Sequence, residues 1–129
     1  MNKALRQQVY DKFGGLCAYT GKPLGDDWQV DHITPKTHWR WRQKDAADVN
    51  HIDNLIPAIK IVNHYKRDHN LEFFRLSMKD FHKRLKKLPK KTIVERTKGR
   101  IIYMNKVAEL FDVTPDKPFS GLFYFETLK

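Results

Sequence analysis

The stretch Gln29-Val30-Asp31-His32-Ile33-Thr34-Pro35 decides how this chain is read, and two later pieces complete it, Asp53-Asn54-Leu55 and Asn63-His64-Tyr65-Lys66. Together they set a carboxylate, an imidazole and two carboxamides in one ordered series. Trp28 to Ile33 has the composition of a strand. The preceding Leu16-Cys17-Ala18-Tyr19, with a turn at Thr20-Gly21-Lys22-Pro23, predicts its partner in a two-stranded antiparallel ribbon. Upstream, Leu5, Val9 and Phe13 recur at four-residue spacing, which predicts a helix from about Lys3 to Phe13 with Gly14-Gly15 as the stop. After Pro57, the residues Ala58, Ile59, Ile61 and Val62 lead into a short helix that carries Asn63 and Lys66 one turn apart on one face. The predicted order is hairpin, loop, helix.

These residue types suit metal-assisted attack on a phosphodiester. Mg²⁺ takes a few protein oxygens and keeps water in its remaining positions, and Asp31 with the side-chain carbonyl of Asn63 supplies such oxygens. A neutral imidazole accepts a proton from water at physiological pH, and His32 is the candidate. Neighbouring side chains on a strand point to opposite faces, so Asp31 and His32 serve one phosphate only where the chain bends. Pro35 and the polar stretch after it supply such a bend.

From about Arg6 to Lys66, half the chain, the sequence resembles the HNH nucleases. The resemblance is carried by the Asp31-His32 pair, by Asn63 following Asn54 by nine residues, and by the Asn-x-x-Lys form of Asn63 to Lys66. It implies a ββα-metal core that hydrolyses DNA with one divalent cation, Mg²⁺ or Mn²⁺. His32 would be the general base, Asp31 and Asn63 the metal ligands, and Asn54 the residue that steadies the loop and orients His32. Lys66 would lie close to the substrate phosphates. A family variant has histidine as the last ligand, which makes His64 the rival to Asn63. Neighbouring helix positions diverge by about 100°, so only one of the two faces a metal. Many family members bracket this core with Cys-x-x-Cys pairs on a structural zinc. Here those positions read Cys17-Ala18-Tyr19-Thr20 and Ile59-Lys60-Ile61-Val62. One cysteine does not make a tetrahedral site, so no structural zinc is expected and apolar packing takes its place.

Charge points to the same class of partner. The chain carries 25 Lys and Arg against 15 Asp and Glu, a formal net charge of +10. Between Lys79 and Arg100, ten basic residues stand against Asp80 and Glu95, and Lys83, Arg84, Lys87, Lys90 and Lys91 are candidates for contact with a DNA backbone. A solvated helix face is the plainer reading of the same run. In the long interval between His32 and Asn54, Trp39-Arg40-Trp41-Arg42 offers a second surface, with rings to stack on unpaired bases and Arg40 and Arg42 to clamp phosphates. The same four residues also suit core packing with two exposed arginines.

At 129 residues the chain suits one domain, with the core at about 6–66 and a basic helical extension at about 70–129. No stretch is apolar enough to span a membrane, no signal peptide is evident, and the single cysteine fits a reducing cytoplasm. In the extension, Leu71, Phe74, Met78, Phe81, Leu85 and Leu88 form one apolar stripe, predicting a long helix that ends before Pro89. A second helix is predicted from about Arg100 to Phe111, and a short strand or docked tail within Phe119 to Thr127. The expected fold is α+β, a ββα-metal core with an N-terminal helix and further C-terminal helices. The leading alternative function is a non-catalytic nucleic-acid-binding module that keeps the fold. No sequence-reading element is appended, so specificity would come from a homodimer or a partner protein.

Overall fold

The computed structural model describes residues 1–35 and 49–128. Trp39, Arg40, Trp41 and Arg42 therefore lie outside the described residues. The chain is α+β: among the described residues there are six helices and one two-stranded antiparallel sheet. It divides into two compact units, Met1–Phe74 with Phe123–Lys129, and Arg75–Leu122. None of the described helices is long and apolar enough to cross a membrane.

The first unit opens with α1 (Lys3–Asp11), capped by Asn2, whose side chain accepts from Leu5 N at 2.7 Å. Val9 is its buried anchor. The chain leaves α1 through Gly14 and Gly15, both at positive φ. A Cβ on Gly15 would stand 2.8 Å from the Tyr10 hydroxyl, so the position tolerates only glycine without movement of that ring.

β1 (Gln29–His32) and β2 (Leu55–Ala58) form the sheet, with Asp31 opposite Ile56 and His32 opposite Leu55. The expected ribbon of Leu16–Tyr19 with Trp28–Ile33 is thus corrected. The segment 16–24 closes on itself through a single Leu16–Pro23 bridge and the Cys17 N to Lys22 O bond, and then docks on β2 through Ala18 N to Pro57 O at 2.9 Å. All four residues of β2 are buried, so it carries no alternation to mark it as a strand. α2 (Lys60–Lys66) follows directly, and its helix ends at Arg67, which has φ +58°.

The C-terminal tail returns to this unit as α6 (Tyr124–Thr127), a short helix. Tyr124 N and Phe125 N donate to the carbonyls of Tyr19 and Ala18. Tyr19, Phe74 and Phe123 pack around this junction with ring centroids 5.2–5.3 Å apart.

The second unit takes the remainder of α3 (Leu71–Lys79), α4 (Phe81–Lys86) and α5 (Glu95–Leu110). Met78, Phe81, Leu85, Met104, Val107 and Phe111 are buried in it. The apolar stripe from Leu71 to Leu88 is real, but the single helix expected there is two. The Ser77 carbonyl, which would continue the ladder, instead accepts from Arg84 Nη2 at 2.7 Å and from Asp80 N at 3.3 Å, and the helix breaks at Asp80. α5 starts five residues before the predicted Arg100.

Candidate functional site

Alternation along β1 puts Gln29 and Asp31 on one face and Val30 and His32 on the other. α2 covers the first face in register. Asn63 Nδ2 donates to Gln29 Oε1 at 2.8 Å, and one turn later Lys66 Nζ lies 3.1 Å from Asp31 Oδ2. The strand stops at His32 and the chain bends at Ile33 and Thr34. That bend allows residues from both faces to share one space: Asp31, His32, Pro35, Asn63, Arg67 and Asp68 all line a pocket of about 370 Å³.

Asp31 is the most constrained member, only 7% exposed. Its Oδ2 accepts the Tyr19 hydroxyl and faces the Lys66 ammonium, which also lies 3.5 Å from Oδ1 and 3.3 Å from the His32 carbonyl. Lys66 itself is 1% exposed. Expected beside substrate phosphates, Lys66 is instead the buried counter-ion of Asp31. Burial, followed by the Asp31 charge and its hydrogen bond, holds the Tyr19 phenol well above its ordinary pKa, so it stays a neutral donor to the carboxylate.

His32 Nε2 lies 3.0 Å from Asn50 Oδ1. A carboxamide oxygen only accepts, so in this contact Nε2 is the donor and Nδ1 is left facing away from Asn50. Asn54 acts elsewhere. Its Nδ2 donates to the carbonyls of Thr34 (3.1 Å) and Val49 (2.8 Å), and its Oδ1 accepts from Thr34 N (2.9 Å). Asn54 therefore fastens the turn that follows His32 to the turn at Val49, while Asn50 is the residue on the imidazole. Lys12 braces the approach to β2 from below, donating to the carbonyls of Ile52 (2.8 Å) and Leu55 (2.7 Å). Burial lowers its pKa, with Asp53 acting in the opposite sense.

Of the two rival ligands on α2, Asn63 lines the pocket and His64 is exposed outside it. Cys17 is buried, its sulfur accepting from Ile59 N, and Val62 is buried as well. The basic candidates belong to the second unit. Lys83, Lys87, Lys90 and Lys91 are exposed, Lys83 beside Asp80 at 3.4 Å. Arg84 is engaged by Ser77 and lies over the Phe81 ring at 5.4 Å, so it builds the helix junction. Arg40 and Arg42 lie outside the described residues.

Sequence reasoning missed Tyr19, Gln29, Asn50, Arg67 and Asp68. Gln29 was recoverable from its position two residues before Asp31 on one strand face. Nothing in the local sequence ties Tyr19 to a carboxylate twelve residues away.

Among the described residues, no three His, Cys, Asp or Glu side chains cluster as a metal cage. The oxygen donors that line the pocket are the carboxylates of Asp31 and Asp68 and the carboxamide of Asn63. Oxygen donors of that kind fit Mg²⁺ or Mn²⁺, hard ions that retain several waters. The chain matches no protein-family model, no curated protein and no solved structure.

Proposed function

We propose that this chain is a divalent-metal-dependent endonuclease of the HNH type, hydrolysing DNA phosphodiesters at the pocket between β1 and α2. The observation that carries the reading is the convergence of Asp31, His32 and Asn63 on one pocket from two elements. On this reading β1, β2 and α2 are the ββα-metal core. Asp31 and Asn63 would hold one Mg²⁺ or Mn²⁺, which supplies positive charge to the developing phosphorane and the leaving oxygen.

The chain's own residues do the rest. His32 Nδ1 takes a proton from water, whose oxygen then bonds to phosphorus as the P–O bond to the leaving sugar breaks. Asn50 fixes the tautomer that makes Nδ1 basic, and Asn54 keeps the turn after His32 from swinging the ring away. Arg67, at the pocket wall, is placed to bind a non-bridging phosphate oxygen. Lys83, Lys87, Lys90 and Lys91 add backbone affinity that falls with salt.

The test is cleavage of a labelled duplex across a Mg²⁺ titration. Asn63→Ala should raise the metal concentration needed, and His64→Ala should not; the reverse pattern defeats the ligand assignment. A second reading, a non-catalytic nucleic-acid-binding module, draws on the Lys66–Asp31 pair, because a carboxylate already neutralised by a buried ammonium is a poorer cation ligand. DNA retardation without cleavage under every metal would favour it.

A further inference from the structure

Resting on the reading of Asp31 as a cation ligand, we propose that Lys66 is an internal competitor for that ligand: its ammonium pairs with Asp31 and must withdraw when a divalent cation binds. Lys66 is enclosed at 1% exposure, and Asp31, 7% exposed, lies between it and the pocket that Asp31 lines. Nζ sits 3.1 Å from Oδ2 and 3.5 Å from Oδ1, so both carboxylate oxygens are already within reach of one cation. Oδ2 also takes the Tyr19 hydroxyl. A divalent cation held by either oxygen would share the carboxylate with Nζ, in surroundings that screen charge poorly. One carboxylate does not neutralise a divalent ion and an ammonium together.

Lysine is suited to yielding the place. Its charge is a point on a flexible four-carbon stem, with none of the planar fork that would let an arginine lock onto both oxygens of Asp31. Tyr19 keeps the carboxylate oriented while the cation changes, since its hydroxyl needs no charge on Lys66. Exchange of one cation for another lowers metal affinity, and it links metal occupancy to the position of the buried positive charge paired with Asp31. By reciprocity, whatever draws the ammonium outward tightens the metal by the same factor.

The measurement is Mn²⁺ affinity without DNA, read by the electron paramagnetic resonance of free Mn²⁺, for wild type, Lys66→Met and Asp31→Asn. The proposal expects Lys66→Met to bind Mn²⁺ about tenfold or more tightly, within the usual range of site–site coupling, and Asp31→Asn to lose binding. A purely structural role for Lys66 would weaken binding instead. Equal or weaker binding by Lys66→Met, with Asp31→Asn still abolishing it, overturns the proposal and leaves the cation site standing. Failure of wild type and Lys66→Met alike to bind Mn²⁺ overturns both. Should Lys66→Met not fold, the buried Lys66 ammonium of wild type is followed by ¹H–¹⁵N NMR during Mg²⁺ titration. Loss of that protected signal at saturation supports withdrawal, and an unchanged signal at saturation refutes it.

Discussion

Asn54→Ala removes three side-chain hydrogen bonds at once, two donated to Thr34 O and Val49 O and one accepted from Thr34 N. Each such bond contributes about 0.5–1.5 kcal/mol, and all three are part-buried, so water restores some of what is lost. The expected cost is roughly 2–3 kcal/mol, a large share of the stability of a unit this size. Trp28 is buried in the first unit and the second unit contains no tryptophan, so the Trp28 signal during urea unfolding, read with Trp39 and Trp41 replaced by Phe, reports on the first unit. Asn54→Asp keeps the acceptor for Thr34 N but turns a carboxylate oxygen toward two carbonyls, and it should cost at least as much as Asn54→Ala. A loss below about 0.5 kcal/mol in Asn54→Ala would show that the turn after His32 is held by something else, and the role given to Asn54 would fail.

Four further outcomes are expected. Tyr19→Phe should lose about 1.5–3 kcal/mol at neutral pH, the worth of a hydrogen bond to a charged group. The wild-type phenol, raised when folded, keeps its proton above pH 10.0 while the unfolded chain sheds it, so stability is full below that pH and falls as pH rises beyond it. Tyr19→Phe should lack that alkaline slope, and identical pH profiles for the two proteins would refute the buried phenol. Asn50→Ala should slow cleavage roughly tenfold, by loosening the tautomer of His32, with little change in melting temperature; unchanged single-turnover rates would remove Asn50 from the site. Changing Lys87, Lys90 and Lys91 together to Gln should reduce the slope of log affinity for duplex DNA against log salt by about 2–3, and an unaltered slope would take that face out of binding. Replacing Arg84 by Gln should instead act on the stability of the second unit, by unfastening Ser77.

Parts of this structure are written openly in the sequence. The spacing of Leu5 and Val9 reads directly as α1, which stops at Asp11, short of the predicted Phe13, and the Asn63–Lys66 turn reads as one face of α2. Given β-alternation, that face must meet Gln29 and Asp31, because only those two residues of β1 point the same way. β2 is harder to see, since Leu55-Ile56-Pro57-Ala58 is uniformly apolar and continues into the helix without punctuation. A strand buried on both sides and the approach to a buried helix look alike in sequence. The break at Asp80 also leaves no trace in the stripe of apolar residues, because it is made by an arginine reaching back seven positions to a carbonyl.

The site divides in the same way. Residue type and spacing single out Asp31, His32 and Asn63, which depend on short-range order along β1 and α2. Lys66 and Tyr19 are set by tertiary burial: a lysine on a polar-looking helix face reads as solvent-exposed until a carboxylate is found beneath it, and Tyr19 reads as packing. Asn50 and Asn54 are both carboxamides near one turn, and only the backbone path shows which one meets the imidazole and which one fastens the chain.

Whether this pocket breaks phosphodiester bonds is decided most directly by incubating supercoiled plasmid with wild type and with His32→Ala, in Mg²⁺, Mn²⁺ or EDTA, at low and moderate salt. The predicted result is nicked or linear DNA with wild type in either metal, none in EDTA, and none with His32→Ala although that variant still folds and retards DNA. Equal cleavage by His32→Ala, or by wild type in EDTA, would contradict the assignment of His32 as the base of a metal-dependent nuclease.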